Sequence, residues 1–350
     1  MSLNNKNYSI EKNNRKKLDG LEIDIYIKEN NFAIEYNGMY WHSYEKINEK
    51  IKSEKMKERL LKEELNSNVG ISYHLLKTKL AIKKDIQLFH IYEYEWLNPI
   101  KKKIIKSMIK NKLKLIGNKI FARNTYIKKV SKEDTKDFLI NNHIQGNTYS
   151  EDNYGLYMKR TQPLMNLKKI KWFDKINYNI GILNLKKINY IKSGELVSIM
   201  CFSNERRNKT NNKELVRFCN LINFSVIGSA SKLFKHYFKT LKFNEKIITF
   251  ADLRYSYGDL YKTLGFKKLY ITKPNYYYFK SSCKKSDNFE MFKFWKKENF
   301  SKKKIKEKYK SSSSLITKFE EDLTEYQNML LNGYSKIYDC GKIKYEYQKK

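Results

Sequence analysis

The stretch LEIDIYIKENNFAIEYNGMYWHS (21–43) decides the fold of the first part of the chain. Apolar and polar residues alternate in LEIDIYI (21–27) and again in FAIEYN (32–37), and this alternation is typical of β-strands with one buried face. The residues between the two runs, 28–31, are all polar. We therefore predict an antiparallel hairpin with a short polar turn.

The register of this hairpin brings two carboxylates together. With the turn centred on residues 29–30, Asp24 lies directly opposite Glu35. Like charges across a strand pair are destabilising unless a cation lies between them, and oxygen ligands of this kind suit Mg²⁺ or Mn²⁺. The alternative is that one carboxylate turns into solvent beside a lysine. The same face also carries Glu22 and Asn37, and the opposite face carries Ile23, Ile25, Ile27, Phe32 and Ile34.

The hairpin is followed directly by a candidate proton-transfer residue. The run EYNGMYWH ends at His42, one of five histidines in the chain. A neutral imidazole near a phosphate site can act as general base or acid at pH 7, so we expect a catalytic role; the alternative is a packed histidine beside Trp41. His74 could support it, whereas His90 and His236 are interpreted as packing or surface residues.

The segments that follow predict a compact α/β unit that ends near residue 118. Residues 44–66 are charged and carry Leu and Ile at helical spacing, 73–85 are typical of a helix, 86–96 of a strand and 99–115 of a cationic helix.

The rest of the chain predicts a mixed sheet with helices. Ser131 is a candidate helix N-cap, and Ser- and Lys-rich residues 284–314 are interpreted as a flexible or nucleic-acid-tracking connection. Residues 323–347 predict a helix, a turn and two short strands. The predicted domains are therefore 1–118, 119–283 and 284–350.

Composition favours a polyanionic partner. The chain has 350 residues with 72 Lys and Arg against 37 Asp and Glu, a net charge of +35. Only 8 of the cations are Arg, so part of the excess Lys could instead reflect AT-rich coding. No apolar run reaches the roughly 18 residues of a membrane span, and we expect a soluble, cytoplasmic protein with no membrane partner. The oligomeric state cannot be predicted.

The stretch 21–43, with YHLLKTKL and IQLFHIYEYEW downstream, resembles phage homing endonucleases. The catalytic domain of those enzymes is similar to the very-short-patch-repair (Vsr) endonuclease and belongs to the PD-(D/E)xK superfamily. The resemblance continues through NNHIQG, ELVRFCN, FADLRYSYGDLYKTLGF and LTEYQNMLLNGYSKIYDCG. It implies a restriction-endonuclease-like, Vsr-like domain that hydrolyses phosphodiester bonds of double-stranded DNA with Mg²⁺ or Mn²⁺.

The resemblance also assigns roles to the hairpin residues. Asp24 and Glu35 would bind the metal, and Asn37 stands where the superfamily usually has Lys. His42 would handle the water or the leaving group, and His74 stands where Vsr-like enzymes have an acidic partner. Family members usually supply another acid from an upstream helix, for which this chain offers the substitutes Glu11, Asp19 and Glu22.

The middle domain resembles a different family. VIGSASKL, followed by a strand and DLYKTLGF, is similar to the acetyl-CoA-binding loop and late helix of GNAT-type acyltransferases, although Gly228 is the only glycine in the loop. We interpret this domain as a GNAT-like scaffold that contacts DNA. The expected nucleic-acid-binding residues are Arg206, Arg207 and Lys209 in a basic loop, and Lys232 and Lys235 on one helix.

Two other functions stay open at this stage. One is a nuclease-derived nucleic-acid-binding protein whose active site is incomplete for want of the upstream acid. The other is an acyltransferase with CoA bound near Gly228.

Overall fold

The computed structural model describes residues 8–163, 190–205, 212–280, 295–296, 300–312 and 315–348, and its helices and mixed sheets confirm the α/β class. The chain divides into two compact units, each assembled from separate segments. The first contains Met1–Pro99, Ala251–Gly258 and Tyr270–Ile343, and the second contains Ile100–Phe250, Asp259–Leu269 and Lys344–Lys350. The units interleave along the chain, so they differ from the contiguous division at 118 and 283.

The first unit contains a four-stranded sheet whose strands are adjacent in chain order: β1 (Ile10–Leu18), β2 (Leu21–Ile27), β3 (Phe32–Asn37) and β4 (Gln87–Tyr92). The predicted hairpin is confirmed, because β2 and β3 are antiparallel with Ile25 opposite Ile34 and Ile27 opposite Phe32. A 3₁₀ turn, Lys28–Asn30, connects them. Strand β1 pairs with β2 and was not predicted, and β4 runs parallel to β3.

The prediction of a single helix over residues 44–66 is wrong, because the structure has two helices there, α1 (Tyr44–Lys50) and α2 (Glu54–Lys62). Ser53 divides them: its side chain accepts a hydrogen bond from Met56 N, which makes it the N-cap of α2. A longer helix, α3 (Val69–Lys83), then packs on the sheet. Its Leu76, Leu80 and Ala81 join Tyr26, Ala33 and Leu88 in one buried cluster. The next helices are Glu93–Leu97 and Pro99–Lys112.

A second sheet of the first unit consists of Trp295–Lys296, Tyr276–Lys280 and Tyr334–Tyr338, in that order. Helices Lys302–Lys310 and Glu325–Leu331 accompany it. Phe300 and Ile305 are fully buried in a cluster with Tyr278. Within 284–314 the described residues thus include a short strand and a helix with a buried Ile305, and the interpretation as a flexible connection is wrong there. The helix, turn and strands predicted over 323–347 are confirmed.

The mixed sheet predicted beyond residue 118 has seven strands, one of them from the C-terminal segment. Strands Lys213–Asn220 and Lys246–Asp252 are parallel, whereas Leu196–Asn204 is antiparallel to both of its neighbours. The strand order is Lys267–Ile271, Lys342–Gln348, Lys246–Asp252, Lys213–Asn220, Leu196–Asn204, Asp152–Met158 and Thr125–Lys129. Two short pairs lie outside it: Lys119–Phe121 with Ser225–Ile227, and Gln162–Pro163 with Tyr190–Ile191.

Three further helices accompany these strands: Lys132–Asn142, Ser229–Phe238 and Asp259–Thr263. The side chain of Ser131 accepts a hydrogen bond from Asp134 N at 3.0 Å, which confirms Ser131 as an N-cap. The run NIGILNLK (179–186), whose apolar residues predict a strand, lies outside the described residues. Within the described ranges, no helix has both the length and the apolar character that crossing a membrane requires.

Candidate active site

Asp24 lies on β2 at the position that the hairpin register places opposite Glu35. Its Oδ2 accepts a hydrogen bond from the backbone N–H of Tyr36 at 2.6 Å, which ties the carboxylate to β3. The side chain is partly buried, and this burial raises the pKa of Asp24, while the Tyr36 hydrogen bond and the charge of Lys77 act in the opposite direction. Asp24 is therefore held on the inner strand β2 with part of its side chain exposed.

Glu35 lies deeper, on β3, and forms an ion pair with Lys77 of α3. The Lys77 ammonium donates to Glu35 Oε1, and both side chains are buried. Burial raises the pKa of Glu35, the negative charge of Asp24 adds to this, and Lys77 opposes it. Burial alone would lower the pKa of Lys77, but the Glu35 carboxylate outweighs it, so the pKa of Lys77 is raised and its ammonium stays charged.

Sequence reasoning missed Lys77. By resemblance, the lysine of the superfamily would stand at position 37, where this chain has Asn. In the structure, a lysine instead reaches Glu35 from the helix that covers the sheet. The available signal was the position of Lys77 in the run HLLKTKLA (74–81), where apolar residues surround it. A lysine on the buried face of a helix needs an acidic partner, and Glu35 is that partner.

His42 and His74 form a stacked pair. Their ring centroids are 5.3 Å apart, with 21° between the planes. His42 is partly exposed and His74 is fully buried. Burial and the nearby Lys77 lower the pKa of His42 to about 3, and burial also lowers the pKa of His74 well below its usual value. Both imidazoles are thus neutral at pH 7.

His74 does not supply the acidic partner that the family resemblance would place there. His42 Nδ1 and both ring nitrogens of His74 are buried, and none makes a hydrogen bond of ordinary geometry to the described residues. The two rings stack, and a hydrogen bond to the backbone of His42 acts to raise the pKa of His74. Beside it, Trp41 is 67% exposed and Tyr40 is 53% exposed, so the burial of His42 comes from His74 and not from Trp41.

Asn37 and His90 form the buried end of the site. The Asn37 side-chain amide lies 3.3 Å from His90 Nδ1, and His90 Nε2 lies 2.9 Å from Thr78 Oγ1. His90 is fully buried, as a packing residue would be, but it is also hydrogen-bonded on both ring nitrogens. It stands directly across from Glu35 on β4, so it belongs to the site.

The residues present fit a hard divalent cation. Glu35 Oε2 and Asn37 Oδ1 are both buried without a hydrogen-bond partner among the described residues. In the parts of the chain that the structure describes, no three His, Cys, Asp or Glu side chains are arranged to hold a metal. Mg²⁺ does not need three, because it keeps several waters and is commonly bound through one or two carboxylates. Asp24 and Glu35 would supply these.

The three substitutes for an upstream acid have different surroundings. Residues 10–18 form strand β1 where the family has a helix, and Glu11 there accepts a hydrogen bond from Asn14. Asp19 pairs with Lys84. Glu22 pairs with Arg15, and its charge also raises the pKa of Asp24. Of the three, Glu22 is electrostatically coupled to the candidate site.

The predicted nucleic-acid-binding residues separate into two groups. Arg206, Arg207 and Lys209 lie outside the described residues. Lys235 is exposed on helix Ser229–Phe238, as a phosphate contact requires. The Lys232 ammonium instead donates to the carbonyl oxygens of Ala122 and Thr125 at 2.7 and 2.6 Å, so it has a structural role.

Gly228 is the N-cap of helix Ser229–Phe238. Its φ of 79° lies in the left-handed region that favours glycine. The hydroxyl of Ser229, which follows it, contacts Val226 O at 2.7 Å and Asn220 Oδ1 at 3.0 Å. This side chain is thus engaged within the fold, and the geometry adds no support for a CoA site.

No family model matches the chain, and no curated protein is significantly similar to it. The resemblance to Vsr-like homing endonucleases therefore stays a prediction, and the function is argued from the site.

Proposed function

We propose that the protein is a metal-dependent DNA endonuclease of the homing type. The observation that carries this proposal is the grouping of Asp24, Glu35 and Lys77: two carboxylates on paired strands, with a charged lysine buried against one of them. Two acids and a lysine are the functional groups that hydrolysis of a phosphodiester by this superfamily needs. Here the lysine comes from α3.

Each residue has a role that follows from its surroundings. Asp24 and Glu35 would hold Mg²⁺, which when bound lowers the pKa of a coordinated water and neutralises charge on the phosphate. Lys77 keeps Glu35 in place, and its positive charge would favour a bound phosphate. His42, neutral and partly exposed, would accept the proton of the attacking water.

Two features support DNA as the substrate. The net charge of +35 favours a polyanion, and the exposed Lys235 would neutralise a phosphate. The exposed rings of Tyr40 and Trp41 adjoin His42, and aromatic rings of this kind stack on bases.

A cleavage assay tests the proposal. Supercoiled plasmid libraries carrying candidate target sites are incubated with the full chain with and without Mg²⁺ or Mn²⁺. Cleavage that requires the metal and disappears in Asp24→Asn supports an endonuclease. DNA binding without cleavage under all conditions would instead identify a nucleic-acid-binding protein with an inactive site.

The same protein preparation tests the acyltransferase alternative. CoA is added in a thermal-unfolding measurement and in an acetyl-transfer assay. We expect no stabilisation by CoA and no transfer, because the Gly228 loop offers a single glycine and its Ser229 is engaged internally.

A further inference from the structure

The hydroxyl of Thr78 connects α3 to His90. Its Oγ1 lies 2.8 Å from the carbonyl oxygen of His74, one turn earlier in the helix, and 2.9 Å from His90 Nε2. Two oxygen atoms approach this closely only when a proton lies between them, and the carbonyl has no proton to give. Thr78 therefore donates its single hydroxyl proton to His74 O, and the Cys340 thiol, which also hydrogen-bonds to Thr78, is a donor to Oγ1.

This hydrogen bond fixes the proton on His90. Because the Thr78 hydroxyl has no second proton, it must accept from His90, and Nε2 carries the N–H. A neutral imidazole has one N–H, so Nδ1 is an acceptor. The side-chain N–H of Asn37 is the donor that faces it, at 3.3 Å. Each contact thus has one donor and one acceptor.

Counting donors and acceptors also fixes the orientation of the Asn37 amide, which must be assigned from the hydrogen-bond network. With the amide nitrogen committed to His90, Oδ1 is the free end of the side chain, and it is buried without a partner among the described residues. Asn37 and Glu35 lie two positions apart on β3, so their side chains share one face. Glu35 Oε2 is likewise buried and unpartnered.

Two buried oxygens on one face, both without donors, are destabilising unless a cation, a donor or a water meets them. We propose that Asn37 Oδ1 is an oxygen ligand of the divalent metal in the candidate active site, and that His90 and Thr78 are positioning residues that hold the amide in the ligating orientation. This assignment rests on the proposed function, because it concerns the same metal. It gives Asn37 a role that does not require a lysine at its position.

Direct metal binding tests the ligand. Mn²⁺ is titrated into the full chain without DNA, and the free ion is followed by its electron paramagnetic resonance signal. We expect Asn37→Leu, which keeps the side-chain size and removes the oxygen, to weaken the affinity by at least about 10-fold, and Asn37→Asp to keep it. Unchanged affinity in folded Asn37→Leu would overturn the assignment.

The positioning residues are tested with Asn37 left in place. Thr78→Val removes the acceptor of the His90 N–H, and we expect Mn²⁺ affinity to fall by about 10-fold, with recovery in Thr78→Ser. Thr135→Val is the matched control, because Thr135 is also buried and its hydroxyl has no partner among the described residues. This set decides the question if Asn37→Leu does not fold. Equal affinity in Thr78→Val and wild type would contradict the positioning role.

A nuclear magnetic resonance measurement tests the proton assignment without metal. The ¹⁵N shifts of selectively labelled histidines distinguish the two neutral tautomers, and His90→Gln identifies the His90 signals. We expect the Nε2–H form, and the Nδ1–H form would overturn the network. Failure of the wild type to bind Mn²⁺ would overturn both this assignment and the proposed function, whereas unchanged binding in Asn37→Leu would overturn this assignment alone.

Discussion

Lys77 and Glu35 form an ion pair in which the side chains are only 1% and 3% exposed. Neither charge has access to solvent, so each depends on the other for its stabilisation. The pair joins α3 to β3 and at the same time fixes one carboxylate of the candidate active site.

Lys77→Met should lower the free energy of unfolding by about 3 kcal/mol or more, because it leaves the Glu35 carboxylate buried without its partner. The double variant Lys77→Met/Glu35→Gln should recover much of this loss, since no buried charge is then left without a partner. Urea unfolding at pH 7 measures both. If the single and double variants are equally stable, the pair does not behave as a buried ion pair.

His42→Ala should reduce metal-dependent DNA cleavage by about 10² to 10⁴, which is the usual contribution of a positioned acid or base. DNA affinity should stay nearly unchanged, because contacts elsewhere supply it. Cleavage kinetics and gel-shift binding separate the two quantities. A matching loss of DNA affinity would contradict a role limited to proton transfer.

The free energy of unfolding should fall as the pH falls below about 6.5, the ordinary pKa of histidine in an unfolded chain. The pKa of His42 is about 3 in the folded protein because the ring is buried near Lys77. The unfolded chain therefore binds a proton over this range and the folded chain does not. The stability that this difference provides is fully present above the higher value and is lost progressively towards the lower one.

For one such histidine the slope reaches about 1.4 kcal/mol per pH unit. Unfolding at a series of pH values in wild type and His42→Gln measures what this imidazole contributes, including its effect on the pKa of His74 and of His90. We expect a shallower dependence in His42→Gln. Parallel curves would show that His42 is not buried in the neutral form.

Lys235→Gln should weaken DNA binding in a salt-dependent manner, reducing the slope of log affinity against log salt by about 0.9 if one phosphate contact is lost. Lys232→Gln is the matched comparison on the same helix. Because its ammonium is bonded to Ala122 and Thr125, this change should lower thermal stability instead. Fluorescence anisotropy at several salt concentrations tests the pair, and equal slopes for Lys235→Gln and wild type would exclude Lys235 from the interface.

The sequence predicts those parts of the fold and site that are encoded locally. Strict alternation and a short turn determine the register that aligns Asp24 with Glu35, and the Ser131 hydroxyl marks a helix start. Lys77 could not be placed in the same way, because its partner is 42 residues away on another element. The sequence of α3 does not indicate which strand this helix will cover.

Two other elements could not be predicted because their own sequences are rich in charged residues. Strand β1 has the sequence IEKNNRKKL, which lacks an apolar period and is stabilised by pairing with β2. The segment around Lys302–Lys310 is Lys-rich enough to suggest a connection, yet Ile305 is fully buried and packs its helix into the cluster that contains Tyr278 and Phe300. In both cases tertiary partners outweigh local composition.

The seven-stranded sheet has an order that affects how the chain folds during synthesis. Strand Lys342–Gln348 lies between Lys246–Asp252 and Lys267–Ile271, which the ribosome produces well before it. Until that strand arrives, both neighbours have an open hydrogen-bonding edge, and such edges recruit strands of other chains. Expression conditions that slow translation between Lys267–Ile271 and Lys342–Gln348 should therefore increase aggregation. Chaperones that cover the open strand edges of the nascent chain should raise the yield of native protein.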